Sequence, residues 1–213
     1  ALALSTWQRT QTALDAWTRS WVAASTTACE ATRVRHADSE DAYQRKTACL
    51  EEHLQAMRGV ANLLRAADKD VVTNAASLIG GLPPNEPCLD AIALKAKDRP
   101  ETPTQKQARQ SLTDAVQEAT NLHNAGKYAQ GLAVLGPAVG NALAAPPQAR
   151  AEALLLLGRL QVRAGKLQDA GETLFLAALE AELSGEASLV ARAFSRLSMV
   201  LGAVQDHLTE ARH

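Results

Sequence analysis

A seven-residue stretch occurs twice in this chain. Ala125-Gly126-Lys127-Tyr128-Ala129-Gln130-Gly131 is echoed by Ala164-Gly165-Lys166-Leu167-Gln168-Asp169-Ala170, with Gly126 and Gly165 39 residues apart. Each copy follows one apolar helical run and precedes another. A glycine at such a place ends a helix by taking the left-handed conformation that costs other residues energy. Each Ala-Gly-Lys therefore marks the bend of a helical hairpin. A unit repeated at a period of about 20–50 residues cannot bury its apolar face alone and stacks on its neighbours. The echo thus predicts a helical solenoid, a scaffold that binds something.

Composition supports an all-α fold. Apolar residues make up 46%, charged residues 21% and aromatics only 3%, with alanine supplying much of the apolar share. Alanine is the best helix former, and no alternating Val/Ile cluster suggests a strand. Charge is balanced at 22 basic and 23 acidic side chains, without the basic stripe or stacking aromatics that nucleic-acid binders carry. No apolar run reaches the roughly 18 residues of a membrane span. Ala1-Leu2-Ala3-Leu4 is too short for a signal peptide and reads as a chain end or as the last turn of a preceding membrane helix.

Residues 1–100 read as a helical hairpin region with a Pro-rich connector. Leu14, Trp17, Trp21, Ala24 and Ala28 form one buried stripe of a helix over 5–36. Trp17 and Trp21 are expected to anchor packing rather than to form an aromatic cage. Asp38 or Ser39 caps a second helix over 39–67, with Cys49, Leu50, Leu54, Met57, Val60, Ala61 and Leu64 on its inner face. Two long helices with a short connection make an antiparallel hairpin. A third, shorter helix from Asp68 or Asp70 through Val71, Val72, Ala75, Leu78 and Ile79 stops at Gly80-Gly81, and Pro83-Pro84 blocks any restart. Pro87, Pro100 and Pro103 continue the connector, with a short helical turn around Leu89–Leu94.

Residues 101–213 read as about two and a half helix pairs. Helix 104–125 pairs with 127–144, and 148–164 with 166–184; a further unit starts at Ala187, its terminal helix read as a cap. The second pair carries Leu154-x2-Leu157-Gly158-x2-Gln161 followed by Ala170-x3-Leu174-x2-Ala177. This resembles the tetratricopeptide (TPR) pattern, in which small Gly158 and Ala170 let paired helices approach closely. The aromatic positions of that pattern hold Leu154, Gln161 and Leu174, and the period exceeds that of the family.

Nothing in the sequence announces catalysis or a cofactor. GxGxxG, Walker A, HExxH and GxSxG motifs are missing. No two of His36, His53, His123, His207 and His213 are spaced at i+4, and Cys29, Cys49 and Cys88 form no CxxC pair or zinc-like Cys/His cluster. Glu51-Glu52 and Glu180/Glu182 are placed on solvated faces. The expectation is no enzyme, no cofactor and no metal. The concave wall of a solenoid is the better place for a site. If the first helix of each pair lines it, the inward residues are Val116, Thr120, His123 and Asn124, then Glu152, Leu155, Arg159, Val162 and Arg163, then Arg192, Ser195, Arg196 and Met199. Arginine forks bind carboxylates bidentately, so Arg159, Arg163, Arg192 and Arg196 with His123 and Asn124 form a candidate groove for an acidic peptide or a C-terminal carboxylate. The alternative is that these arginines are plain surface residues or pair with Glu152 and Glu186.

The order of features has a family likeness. A Trp-bearing helix with Ala28-Cys29-x2-Thr32 precedes Ser39…Arg45-x3-Cys49-Leu50, then Leu82-Pro83…Cys88-Leu89-Asp90, then the TPR-like pairs. This resembles the C-terminal region of large bacterial serine/threonine protein kinases, where a kinase domain and a membrane helix precede a TPR domain. The chain itself has no Gly-rich loop, HRD-type loop or DFG. The resemblance therefore implies a non-catalytic regulatory or sensor region, anchored through a preceding helix and lying on the extracytoplasmic, periplasmic side. That compartment favours a disulfide. Counting helical rise on either side of the turn leaves Cys29 and Cys49 within about one turn of each other, so Cys29–Cys49 is the expected pair and Cys49–Cys88 the alternative. A cytoplasmic TPR adaptor and a self-associating, homodimeric module are the competing readings.

Overall fold

The structure is a computed structural model describing residues 2–96 and 100–210. Of the features read from the sequence, Ala1, residues 97–99 of the connector and His213 lie outside them. Among the described residues the chain is all-α, without a strand. Packing groups residues 1–100 with 124–126, and residues 101–123 with 127–213.

In the first unit, α1 (Leu2–Arg33) and α2 (Glu40–Arg65) form the long hairpin. The connection is longer than the sequence suggests, taking in residues 34–39. Backbone N–H groups of Arg35 and Ala37 reach back to Glu30 O and Ala31 O, and His36 takes a left-handed φ of 51°, so α1 stops at Arg33. Ser39 caps α2, its hydroxyl accepting from Ala42 N at 3.2 Å. Asp38 instead binds the ammonium of buried Lys46 at 2.6 Å. The Trp17 indole donates to Pro83 O at 2.9 Å and that of Trp21 to Leu50 O at 2.8 Å. Both rings are therefore anchors, each apolar body packed and each polar tip satisfied. Ala56, not Ala61, fills the inner face of α2.

The third helix is interrupted. Asp68 caps α3 (Lys69–Thr73) by accepting from Val71 N at 3.0 Å, and α4 (Ala75–Gly80) follows. Asn74 stands between them, its Nδ2 donating to Asp70 O at 2.9 Å, a local bond that competes with helix propagation. Val71, Leu78 and Ile79 are buried and Val72 faces solvent. A 3₁₀ turn (Glu86–Leu89) and α5 (Ala91–Ala96) complete the unit. The turn brings Cys88 to α2, where it is bonded to Cys49 with Cα atoms 5.5 Å apart. Cys29 is free and exposed. The expected Cys29–Cys49 bond is thus replaced by the alternative, because Ala28 rather than Cys29 occupies the buried stripe of α1. A rise count gives level along a helix but not azimuth around it.

The second unit comprises α6 (Pro103–Asn124), α7 (Tyr128–Asn141), α8 (Pro147–Arg163), α9 (Leu167–Ser184) and α10 (Ala187–Glu210). The echo is visible in the backbone. Gly126 and Gly165 have φ of 80° and 76°. The following amide reaches back five residues in each case, Lys127 N to Leu122 O at 2.8 Å and Lys166 N to Gln161 O at 2.9 Å. This is the bonding of a left-handed helix terminus that satisfies otherwise orphaned carbonyls. Leu112, Ala119, Leu135, Ala153, Leu156 and Leu160 form one core; Ala151, Leu154, Leu155, Ala170, Leu174, Ala177, Leu189 and Leu197 form another. Gly158 lets α8 approach α9, since a Cβ there would stand 2.6 Å from Leu174 Cγ.

Candidate functional site

Five of the six candidate groove residues separate into three kinds, and Arg192 stands on α10 one turn before Arg196. Arg159 and Arg163 sit one turn apart on α8, and Arg192 and Arg196 one turn apart on α10. All four are exposed. Arg163 is committed to α7: its Nη2 and Nε approach the Tyr128 hydroxyl at 2.7 and 3.1 Å, and its guanidinium stands 5.0 Å from the ring centroid. His123 meets the same ring edge-on at a centroid distance of 5.7 Å. His123, Tyr128 and Arg163 thus form one cluster around a tyrosine. Asn124 leaves the group altogether, because it packs with the first unit, where its side chain lies against Gly81.

Arg159 and Arg196 make up the third kind. The guanidinium of Arg159 is held below its ordinary value, first by partial burial and second by the positive charge of Arg196. Among the described residues no ion pair involves Arg159, Arg192 or Arg196. Two like charges held together without a carboxylate between them raise the energy of the free protein and attract an anion. Met199, three residues beyond Arg196, adds an exposed apolar side chain to that stretch of α10. Leu155, expected to line the wall, is instead buried in the core with Leu154 and Leu174, where Val162 packs against it, and Val116 packs against the core around Leu112 and Leu135.

Two side chains change their reading once packed. Glu180 is buried and salt-bridged to Arg150, although the sequence places it with Glu182 on a solvated face. Its Oε2 has no hydrogen-bond partner. Tyr128 is the neighbour of Arg163 and His123 that the sequence reading passes over. The only signal for it is within the echo itself, where Tyr128 stands at the place of Leu167.

The other omission is in the first unit. Cys49, His53 and Cys88 gather their ligand atoms within 4.8 Å of one another, a Cys/His cluster the spacing patterns do not reveal. Patterns that compare histidine with histidine and cysteine with cysteine miss a Cys-x3-His whose third member comes from a distant turn. No family model, curated protein or solved structure matches this chain.

Proposed function

We propose that the chain is a non-catalytic, TPR-like helical interaction domain whose α8–α10 arginines bind an acidic peptide or a C-terminal carboxylate. The carrying observation is Arg159 on α8 and Arg196 on α10, near enough for the charge of Arg196 to lower the Arg159 guanidinium from its ordinary value, with no ion pair to either among the described residues. A planar fork with fixed donors suits a carboxylate bidentately, and two forks suit a peptide with several. The likeness of the residue order to bacterial serine/threonine kinase C-terminal regions supports a regulatory or sensor role beside a kinase domain. The Cys49–Cys88 bond is consistent with the extracytoplasmic side of a membrane, where disulfides persist. Among the described residues no helix is long and apolar enough to cross one.

Fluorescence anisotropy with a labelled Glu/Asp-rich peptide tests the reading. Arg159→Ala and Arg196→Ala should each weaken binding about ten- to a hundredfold, the loss of one charge-assisted contact of about 1.5–3 kcal/mol. Affinity should also fall as salt rises. Binding that is indifferent to both substitutions would remove the groove.

A further inference from the structure

Cys49 and His53 are four residues apart on α2 and share one face. Cys88, on the 3₁₀ turn, meets them there. Cys88 Sγ is 3.6 Å from His53 Nδ1 and 3.7 Å from Nε2, and Cys49 Sγ is 4.0 Å from Nε2. A tetrahedral zinc, with sulfur at about 2.3 Å and nitrogen at about 2.0 Å, sets sulfur and nitrogen roughly 3.5 Å apart and two sulfurs roughly 3.7 Å apart. Of the two edges to Nε2, that of Cys88 at 3.7 Å is close to that length and that of Cys49 at 4.0 Å is about 0.5 Å longer. The two sulfurs have to part and Cys49 Sγ has to close on Nε2, which cleavage of their bond permits.

Asn85 is the second observation. Its side chain is completely buried, and its Oδ1 lies 3.2 Å from His53 Nδ1. A proton on Nδ1 donated to that oxygen leaves the Nε2 lone pair for a cation. Asn85 Nδ2 in turn donates to Ser20 Oγ at 3.4 Å, and the Ser20 hydroxyl donates to Glu86 Oε1 at 3.3 Å. A buried amide that selects an imidazole tautomer, and is itself held, is the outer support that metal-ligating histidines use. Cys88 is buried, while Cys49 and His53 are partly exposed and give an ion access.

We propose that the reduced protein binds one soft d10 cation of the Zn2+ class through Cys49 Sγ, His53 Nε2 and Cys88 Sγ, with water in the fourth position. The disulfide and the cation then exclude each other. A dithiol reductant supplies two electrons and two protons, cleaving the bond to two thiols and becoming a disulfide itself. The cation displaces both thiol protons as it binds the thiolates. In the reverse direction a disulfide oxidant takes two electrons from the thiolates, the S–S bond re-forms and the cation leaves. The first unit alone carries this site, independently of the arginine groove.

Co2+ occupies the same tetrahedral sites as zinc and reports thiolate ligands by charge-transfer absorption. The full chain bearing Cys29→Ser, reduced with a phosphine, should take up one equivalent of Co2+ with that absorption. Zn2+ should displace it with a dissociation constant below about 1 μM. Cys88→Ser should lose the absorption, Asn85→Ala should weaken binding about 10–100-fold, and the oxidised chain should take up none. A reduced protein without the absorption, or Cys88→Ser with it undiminished, overturns the proposal. If reduction lowers the far-ultraviolet helical signal, Zn2+ should restore it; a signal that stays low at saturating Zn2+ also overturns it.

Discussion

Gly126 and Gly165 make the same turn under different constraints. At Gly165 an added Cβ would meet nothing within 4 Å, whereas at Gly126 it would stand 2.6 Å from Asn74 Nδ2. Gly165→Ala therefore costs backbone strain alone, about 1 kcal/mol. Gly126→Ala must also displace an amide that donates to Asp70 O, adding roughly 1–2 kcal/mol. Urea unfolding of the two variants should show this order, and equal losses would contradict it. Arg159 makes a different residue-scale case. Its folded value lies below its unfolded one, so the charged form opposes folding at every pH below the folded value, which includes the whole neutral range. Arg159→Met keeps the apolar stem and should raise Tm while weakening acidic-peptide binding. A lowered Tm would mean that the charge stabilises the fold.

At the scale of elements, close approach of α8 and α9 depends on the missing side chain of Gly158. Gly158→Ala would place a carbon 2.6 Å from Leu174 Cγ, in a core where Leu174 is 1% exposed. Overpacking of this kind costs about 1–3 kcal/mol, although alanine is the better helix former by about 1 kcal/mol. Chemical denaturation should show a net loss, and Leu174→Val in the same chain should recover part of it. The Leu-Gly pattern made this contact legible in the sequence, because it places a small residue where the paired helices approach closely. The break at Asn74 was not legible, since it depends on a side chain turning back to its own helix.

At the scale of the molecule, Cys49–Cys88 closes a loop spanning 39 residues of sequence separation. A loop of that size is worth roughly 4 kcal/mol in the chain-entropy picture. Reduction should therefore accelerate amide exchange in α1 and α2 and leave α8 and α9 unchanged, because the bond lies wholly within the first unit. Equal acceleration in all four helices would show that the disulfide stabilises more than its own unit. Helix existence, the ends at Gly126 and Gly165, and the caps to within a choice of Asp38 or Ser39 and of Asp68 or Asp70 were readable because caps and left-handed glycines act through bonds a few residues long.

What the sequence determined by itself is local: an all-α chain, its hairpin bends, the buried stripe of α1 and the small residues where helices cross. Tertiary structure alone decided which side chains meet across elements. It chose Cys88 over Cys29, buried Glu180 against Arg150, drew Arg163 to Tyr128, separated Asn124 from the other groove residues and assembled Cys49, His53 and Cys88 around Asn85. The physical reason is range. Propensity and capping are set by neighbours within a turn or two, whereas a pairing between elements depends on azimuth and on the exact length of every turn. Those are fixed only when the cores close.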